Sequence, residues 1–374
     1  MTRVQPTRSA VQIAMCLILF GSAPMVSAAP SYAFSFLGTL GGTESFPYAI
    51  NNSDKIAGAA YTAVGYATHA ALWDGSATTD LGTLGGRDSL AYGINNAGQS
   101  VGYSYTTGNT AYHATLWDHG ALVDLAPQGG TYSAAYGIND SGQVVGVSDT
   151  TNHATLWNGL TATDLGTLGG SISSARGINS TGQVIGYSYT AGNTANHATL
   201  WNGTTPTDLG TLGGKDSYAY GINDAGQAVG YSFTAANDAI HATFWDGATA
   251  TDLGTLGGRN SWANAINNAG QAVGAALIAG NTASHATLWG NAALIDLNDF
   301  LDPSFASEGW VLVDAYDIND SGSIVGLAKN DLLDSRQRGF LLTAVAPIPE
   351  PETYALMLAG LAVVGAAARR RKAA

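Results

Sequence analysis

A five-residue string, His-Ala-(Thr/Ala)-(Leu/Phe)-Trp, begins at His69, His113, His153, His197, His241 and His285, at steps of 44, 40, 44, 44 and 44 residues. Ile-Asn begins at Ile50, Ile94, Ile138, Ile178, Ile222, Ile266 and Ile318, nearly always with a glycine three residues after the asparagine. Leu-Gly-Thr-Leu-Gly-Gly starts at Leu37, Leu81, Leu165, Leu209 and Leu253, with a worn copy at Leu125. Such a chain is built from one supersecondary unit, and each unit must bury its faces against its neighbours.

Each unit reads as four short strands. Strand a ends in Ala-Tyr-Gly-Ile-Asn, strand b is Gln-Val-Val-Gly-Tyr-Ser or similar, strand c is His-Ala-Thr-Leu-Trp, and strand d is Thr-Asp-Leu-Gly-Thr-Leu. Between a and b lies Asn-x-x-Gly, as in Asn139-Asp140-Ser141-Gly142; between c and d lies Asp-Gly or Asn-Gly, as in Asp74-Gly75 and Asn158-Gly159. Both are hairpin sequences. Four antiparallel strands in about 44 residues is the signature of a β-propeller blade, although a stacked β-solenoid shares the period.

The strand count favours a closed ring. Strands a, b and c each occur seven times if residues 338–342 form a degenerate last c, and the first copy of d, residues 34–40, precedes any a. An N-terminal d strand completing the last blade would remove the edge that an open array exposes. The expected fold is therefore all-β, a seven-bladed β-propeller over residues 30–345, closed by an N-terminal strand.

The two ends read as addresses. Residues 1–29 fit a secretory signal peptide: Arg3 and Arg8, an apolar stretch over 11–20, and Val26-Ser27-Ala28 as a small-residue cleavage site. The single cysteine, Cys16, lies in that stretch, behind the bulky Met15, which speaks against lipidation; a cleaved chain keeps no thiol chemistry. Residues 346–374 carry Pro349-Glu350-Pro351, an apolar run over 354–368, and Arg369-Arg370-Arg371-Lys372. The run is short for a transmembrane helix, and its basic end is expected to stay cytoplasmic.

That three-part order resembles the PEP-CTERM sorting signal. The resemblance implies transient recognition by an exosortase, membrane attachment through the short C-terminal helix before processing, and export in a Gram-negative, exopolysaccharide-making bacterium. Its motif residues here are Pro349, Glu350, Pro351, Arg369, Arg370 and Arg371. The repeated unit also resembles the HAF repeat of bacterial extracellular proteins, with Thr or Ala at the third position of the string. That resemblance implies a secreted, propeller-like array and brings no catalytic residues.

Charge narrows the partners. The chain has 14 Lys+Arg and 27 Asp+Glu; without the six basic and two acidic residues of its ends, 8 and 25 remain. A surface this acidic repels phosphate backbones, which excludes nucleic acid.

The repeated histidines invite a metal site, but each stands near a repeated aspartate (Asp80, Asp124, Asp164, Asp208, Asp252, Asp296) and fits a hydrogen-bonded strut better. The Asn-Asp-Ser-Gly turns resemble calcium loops only faintly, because a calcium site needs six to eight oxygens. No cofactor is expected, with weak calcium binding by the acidic surface left open.

Copies of the unit differ mainly in the b–c and d–a loops, which antiparallel order places on one face of the ring. Tyr105, Asn109, Tyr189, Asn193 and Phe233 are the candidate ligand residues there: the rings could stack on sugars and the amides bond hydroxyls. The alternative is that they brace their own hairpins. The expected function is a non-catalytic structural or binding module at the cell surface or in the matrix, with exopolysaccharide as candidate ligand. The alternative is a polysaccharide hydrolase or lyase with its site at the propeller axis. The polar residues without repeat counterparts are Glu44, Lys55, His119, Arg176, Glu308 and Trp310, and enzyme chemistry would need several such groups to meet in one funnel.

Overall fold

The structure, a computed structural model, describes residues 31–63, 67–126, 130–290 and 293–345. The expected signal peptide and the sorting segment, with the expected short transmembrane helix and the proline, glutamate and arginine motif, lie outside the described residues. Among the described residues no helix is long and apolar enough to cross a membrane.

The described chain forms seven four-stranded antiparallel sheets, each ordered a-b-c-d. Blade 2 is representative: Gly85–Ile94, Ser100–Thr106, Tyr112–Asp118 and Ala121–Asp124. Blade 7 combines Trp310–Ile318, Ile324–Asn330 and Arg336–Val345 with the N-terminal strand Ser31–Phe36, which pairs antiparallel from Ser31↔Val345 to Phe36↔Phe340. The first strand thus closes the ring on the last, and the fold is the expected propeller rather than a solenoid.

One boundary differs from expectation. Strand d is the four residues before Leu-Gly-Thr-Leu, such as Ala77–Asp80, and the first copy is Ser31–Phe36 rather than 34–40. The Leu-Gly-Thr stretch leaves the sheet because its glycine turns positive in φ (Gly82 +76°, Gly166 +74°, Gly210 +76°, Gly254 +79°). Its leucine enters the seam with the next blade, where Leu165 is 1% exposed.

The core lies between blades. Alternation along strand c turns Ala and Leu toward the following blade and Trp toward the preceding one. Ala114 and Leu116 of blade 2 meet Ile138, Val144 and Trp157 of blade 3 in one cluster. Trp73, Trp157, Trp201 and Trp245 are fully buried, each side chain contributing about 1.5–3 kcal/mol through burial. In blades 1 to 6 a serine in strand a bolts the seam from the side: Ser89 Oγ accepts from Ala70 N at 2.9 Å and donates to Gly82 O at 2.8 Å. The pattern recurs at Ser173 and Ser217.

Strand a carries a bulge in every blade, as between Ala219 and Gly221. The bulge presses the Tyr218 carbonyl against Gly230 of strand b, where a Cβ would collide with it. The same collision recurs at Gly102 and Gly274, so the glycine of Val-Val-Gly is a packing requirement.

Blade 7 departs from the repeat. The step from Ile266 to Ile318 contains an insertion with Leu297–Phe300 and Pro303–Ser307 as short helices. Phe300 packs on Tyr32 (centroids 4.8 Å apart), and Phe305 packs on Phe34 (5.6 Å) and Phe36 (4.9 Å). The insertion therefore covers the closing strand.

Candidate functional site

Strand a is innermost in each sheet, so its side chains meet at the axis. The residue three places before the turn asparagine forms a ring of seven: Tyr48, Tyr92, Tyr136, Arg176, Tyr220, Asn264 and Tyr316. These residues line a cavity of about 320 Å³. Isoleucines 94, 138, 178 and 222 line its floor and also the back of a second axial hollow at the a–b turns.

The wall is a chain of aromatic contacts. Tyr316 meets Tyr48 at 5.7 Å, Tyr48 meets Tyr92 at 5.0 Å, and Tyr92 meets Tyr136 at 5.5 Å. Arg176 lies over the Tyr136 ring at 4.1 Å and the Tyr187 ring at 5.4 Å. Beyond it Tyr187, Tyr218 and Tyr231 follow at 5.0 Å steps. Burial pushes the Tyr48, Tyr103 and Tyr218 hydroxyls up to about 12, and raises those of Tyr92, Tyr220, Tyr231 and Tyr316 as well. All remain neutral phenols that can donate and accept hydrogen bonds.

Two carboxyls of blade 7 stand near this wall. Asp314 accepts from Trp262 Nε1 (3.2 Å) and Asn264 Nδ2 (2.8 Å); Asp317 accepts from Ile50 N (2.8 Å) and Ile318 N (2.9 Å). They tie blade 7 to blade 6 and to blade 1. Each keeps some accessible surface yet lies deep among protein atoms, and burial pushes both up to about 7.

The turn end of the axis is a hydrogen-bonded belt. Each turn asparagine donates its Nδ2 to the backbone carbonyl of the next blade's asparagine. The bonds run from Asn51 through Asn95, Asn139, Asn179, Asn223 and Asn267 to Asn319, at 3.0–3.3 Å, and Asn319 returns to Asn51 at 3.0 Å. The residue after the asparagine adds an outer arc, from Ser180 through Asp224, Asn268, Asp320, Asn52 and Asn96 to Asp140, as Asn96 N donates to Asp140 Oδ1 at 2.8 Å. These amides and carboxylates are occupied by one another. Among the described residues no group of three or more His, Cys, Asp or Glu is arranged to hold a metal ion.

The repeated histidines are struts. His69, His113, His153, His197, His241 and His285 place Nδ1 2.6–2.9 Å from Asp80, Asp124, Asp164, Asp208, Asp252 and Asp296 respectively. The other oxygen of Asp80 accepts from Gly82 N at 2.8 Å, so one carboxylate holds strand c and turns the chain into the next blade.

The candidate residues of the variable face have separate positions. Asn109 and Asn193 adopt positive φ and spend Oδ1 on the d–a loop, accepting from Arg87 N (2.7 Å) and Ser171 N (2.8 Å). Tyr105, Tyr189 and Phe233 are half-buried, their backbones pressed against Gly86, Gly170 and Gly214 of strand a. Tyr105 also lines a groove with Phe46, Tyr61, Arg87, Leu90 and Tyr103 that shares Tyr48 with the axial cavity. Of the six unmatched polar residues, Arg176 alone lines that cavity. Glu44 Oε1 accepts from Gln337 N at 3.3 Å in the closing seam, and Lys55 pairs with Asp74 at 3.0 Å. His119 pairs with Asp118 at 2.6 Å, Glu308 caps a short helix, and Trp310 packs on Phe36. The axial ring itself is absent from the sequence reading; its only signal is that residues at one repeat position must meet if the array closes.

Residues 347–372 match the PEP-CTERM protein-sorting motif. This signal implies an exosortase-sorted, extracellular protein, attached to the membrane transiently. No curated protein matches the chain. Among solved structures, TolB from Acinetobacter baumannii is similar at 12% identity and a TM-score of 0.42, over 56% of this chain and 53% of that one. The chain spans about half the length of that relative, and a likeness at this level bears on neither site nor activity.

Proposed function

We propose that this is a cell-surface or matrix binding protein of a Gram-negative bacterium, assembled from HAF-type repeats. Its axial cavity and the Tyr105 groove take a saccharide chain of the exopolysaccharide. The carrying observation is the run of aromatic rings from Tyr316 to Tyr136 along the cavity wall, continuous through Tyr48 with the groove on the variable face. Phenol faces offer apolar surface to pyranose rings, and their hydroxyls offer hydrogen bonds at the rim, the combination a concave sugar site needs.

Binding is favoured over hydrolysis or elimination because, of the six unmatched polar residues, Arg176 alone lines the cavity, and the oxygens of Asp317 there hold backbone amides at the blade 7–blade 1 junction. No metal or cofactor enters this reading.

The test is a glycan array and polysaccharide pull-down with the purified protein, with and without calcium. The reading predicts saturable binding, indifferent to calcium and weakened by Tyr92→Ala or Tyr105→Ala. Turnover of the retained polymer would instead favour the axial hydrolase or lyase.

A further inference from the structure

The axial ring is tyrosine in five blades and asparagine in one, and its one charged member is Arg176 of blade 4; Asp317 also lines the cavity, with both oxygens bonded to backbone amides. The Arg176 guanidinium carbon lies 4.1 Å from the centroid of the Tyr136 ring, and the side chain is half-buried. Among the described residues its one hydrogen-bond acceptor is the Tyr187 hydroxyl, 3.2 Å from Nη2; the buried Nε has none. Among the described residues no carboxylate lies within ion-pair distance of it, although the domain has three times as many acidic as basic residues. A guanidinium held in a cavity with its buried Nε unmatched is costly to keep there and stays charged at any physiological pH. Its planar fork suits a carboxylate, which can take two parallel hydrogen bonds.

We propose that Arg176 is a specificity residue for a carboxylate-bearing sugar, so that the axial cavity receives a uronate unit of an acidic polysaccharide. This rests on the reading of the cavity as a saccharide site and adds the charge of the saccharide. The flanking Tyr136 and Tyr187 fix the guanidinium by stacking and by one hydrogen bond, and Tyr220 on the next blade offers a phenol to the sugar hydroxyls. The acidic exterior repels a polyanion as a whole, which favours entry of a single uronate unit or chain end over broad adhesion to the polymer.

The test compares a uronic-acid oligosaccharide with its neutral counterpart of the same length and linkage, by calorimetric titration of the purified protein. The proposal predicts that the uronate binds about tenfold tighter or more, the worth of one charge-assisted pair. Arg176→Tyr, which installs the residue found at five equivalent positions, and Arg176→Gln both abolish that preference, so that each variant binds the two sugars with equal affinity. Unfolding midpoints of the two variants check that the ring is intact. Equal affinities in the parent, or a preference that survives both substitutions, would overturn the uronate assignment and leave the saccharide reading standing. Failure of both sugars to bind would overturn both, as would binding of a peptide's free carboxyl terminus with no response to uronate.

Discussion

Asn319 donates its side-chain amide to the Asn51 carbonyl at 3.0 Å, across 268 positions of sequence, and this is the same bond that Asn51 makes to Asn95 across 44. The belt has no seam: the asparagine bond between last and first blade is the one found at every other junction. Closure is thus written into each repeat, and the N-terminal strand completes the outer sheet.

Asn319→Ala removes the inter-blade donor to the Asn51 carbonyl, which keeps Asp54 N, and leaves the Ser323 amide without its acceptor. The expected cost is about 2–3 kcal/mol in denaturant unfolding, and Asn139→Ala, at an internal junction, costs a similar amount. A much larger loss at Asn319 alone would mean that the closing junction is special.

Deleting residues 31–36 exposes the edge of Arg336–Val345 and uncovers Phe300 and Phe305. The deleted protein is expected to associate through that edge, visible as oligomers in size-exclusion chromatography. A stable, soluble monomer would contradict the role given to the strand.

Gly230→Ala drives a Cβ into the Tyr218 carbonyl and is expected to abolish folding or cost several kcal/mol. Gly203→Ala, at φ +61° in an open turn with nothing near, costs about 1 kcal/mol. Thermal unfolding of the pair separates a packing requirement from a turn preference.

Stability should fall as pH rises. Asp314 and Asp317 are pushed from 3.8 up to about 7, so between these values the folded protein holds protons that the unfolded chain releases. Their contribution is full below about pH 4 and lost by about pH 7; with their residual solvent contact it is roughly 1–3 kcal/mol each. Asp317→Asn gives up one backbone bond, so it should be less stable than the parent at pH 4.5 and gain on it at pH 8. Unfolding curves for both proteins that stay parallel across this range would contradict the assignment.

Much of the fold is legible in the sequence because the repeat states it many times over. Blade number, strand order and the closing strand follow from counting, and the His–Asp struts follow from a histidine and an aspartate spaced eleven residues apart in six units. Strand d is misplaced because leucine and threonine favour strands, whereas the positive φ at Gly82 and the pull of Leu81 into the next seam end the ladder early. The serine bolts escape notice because Ser89 and its partner Ala70 N belong to different blades. The axial site is hidden for the same reason on a larger scale. Arg176 is conspicuous as an unmatched residue, but its surroundings come from strands a of every other blade, and no local pattern brings Tyr136, Tyr220 and Tyr316 together. The Asn109 and Asn193 side-chain oxygens look free in sequence, and they accept from a loop 22 residues away.

The claim that the axis is the binding site is tested most directly by a hydrogen-exchange footprint of the protein with its retained polysaccharide fragment. The account predicts protection in strands a of blades 2 to 5, around Tyr92, Tyr136, Arg176 and Tyr220, and in the loop after Tyr105. Protection confined to the a–b turn belt or to the outer d strands, with those segments unchanged, would contradict it.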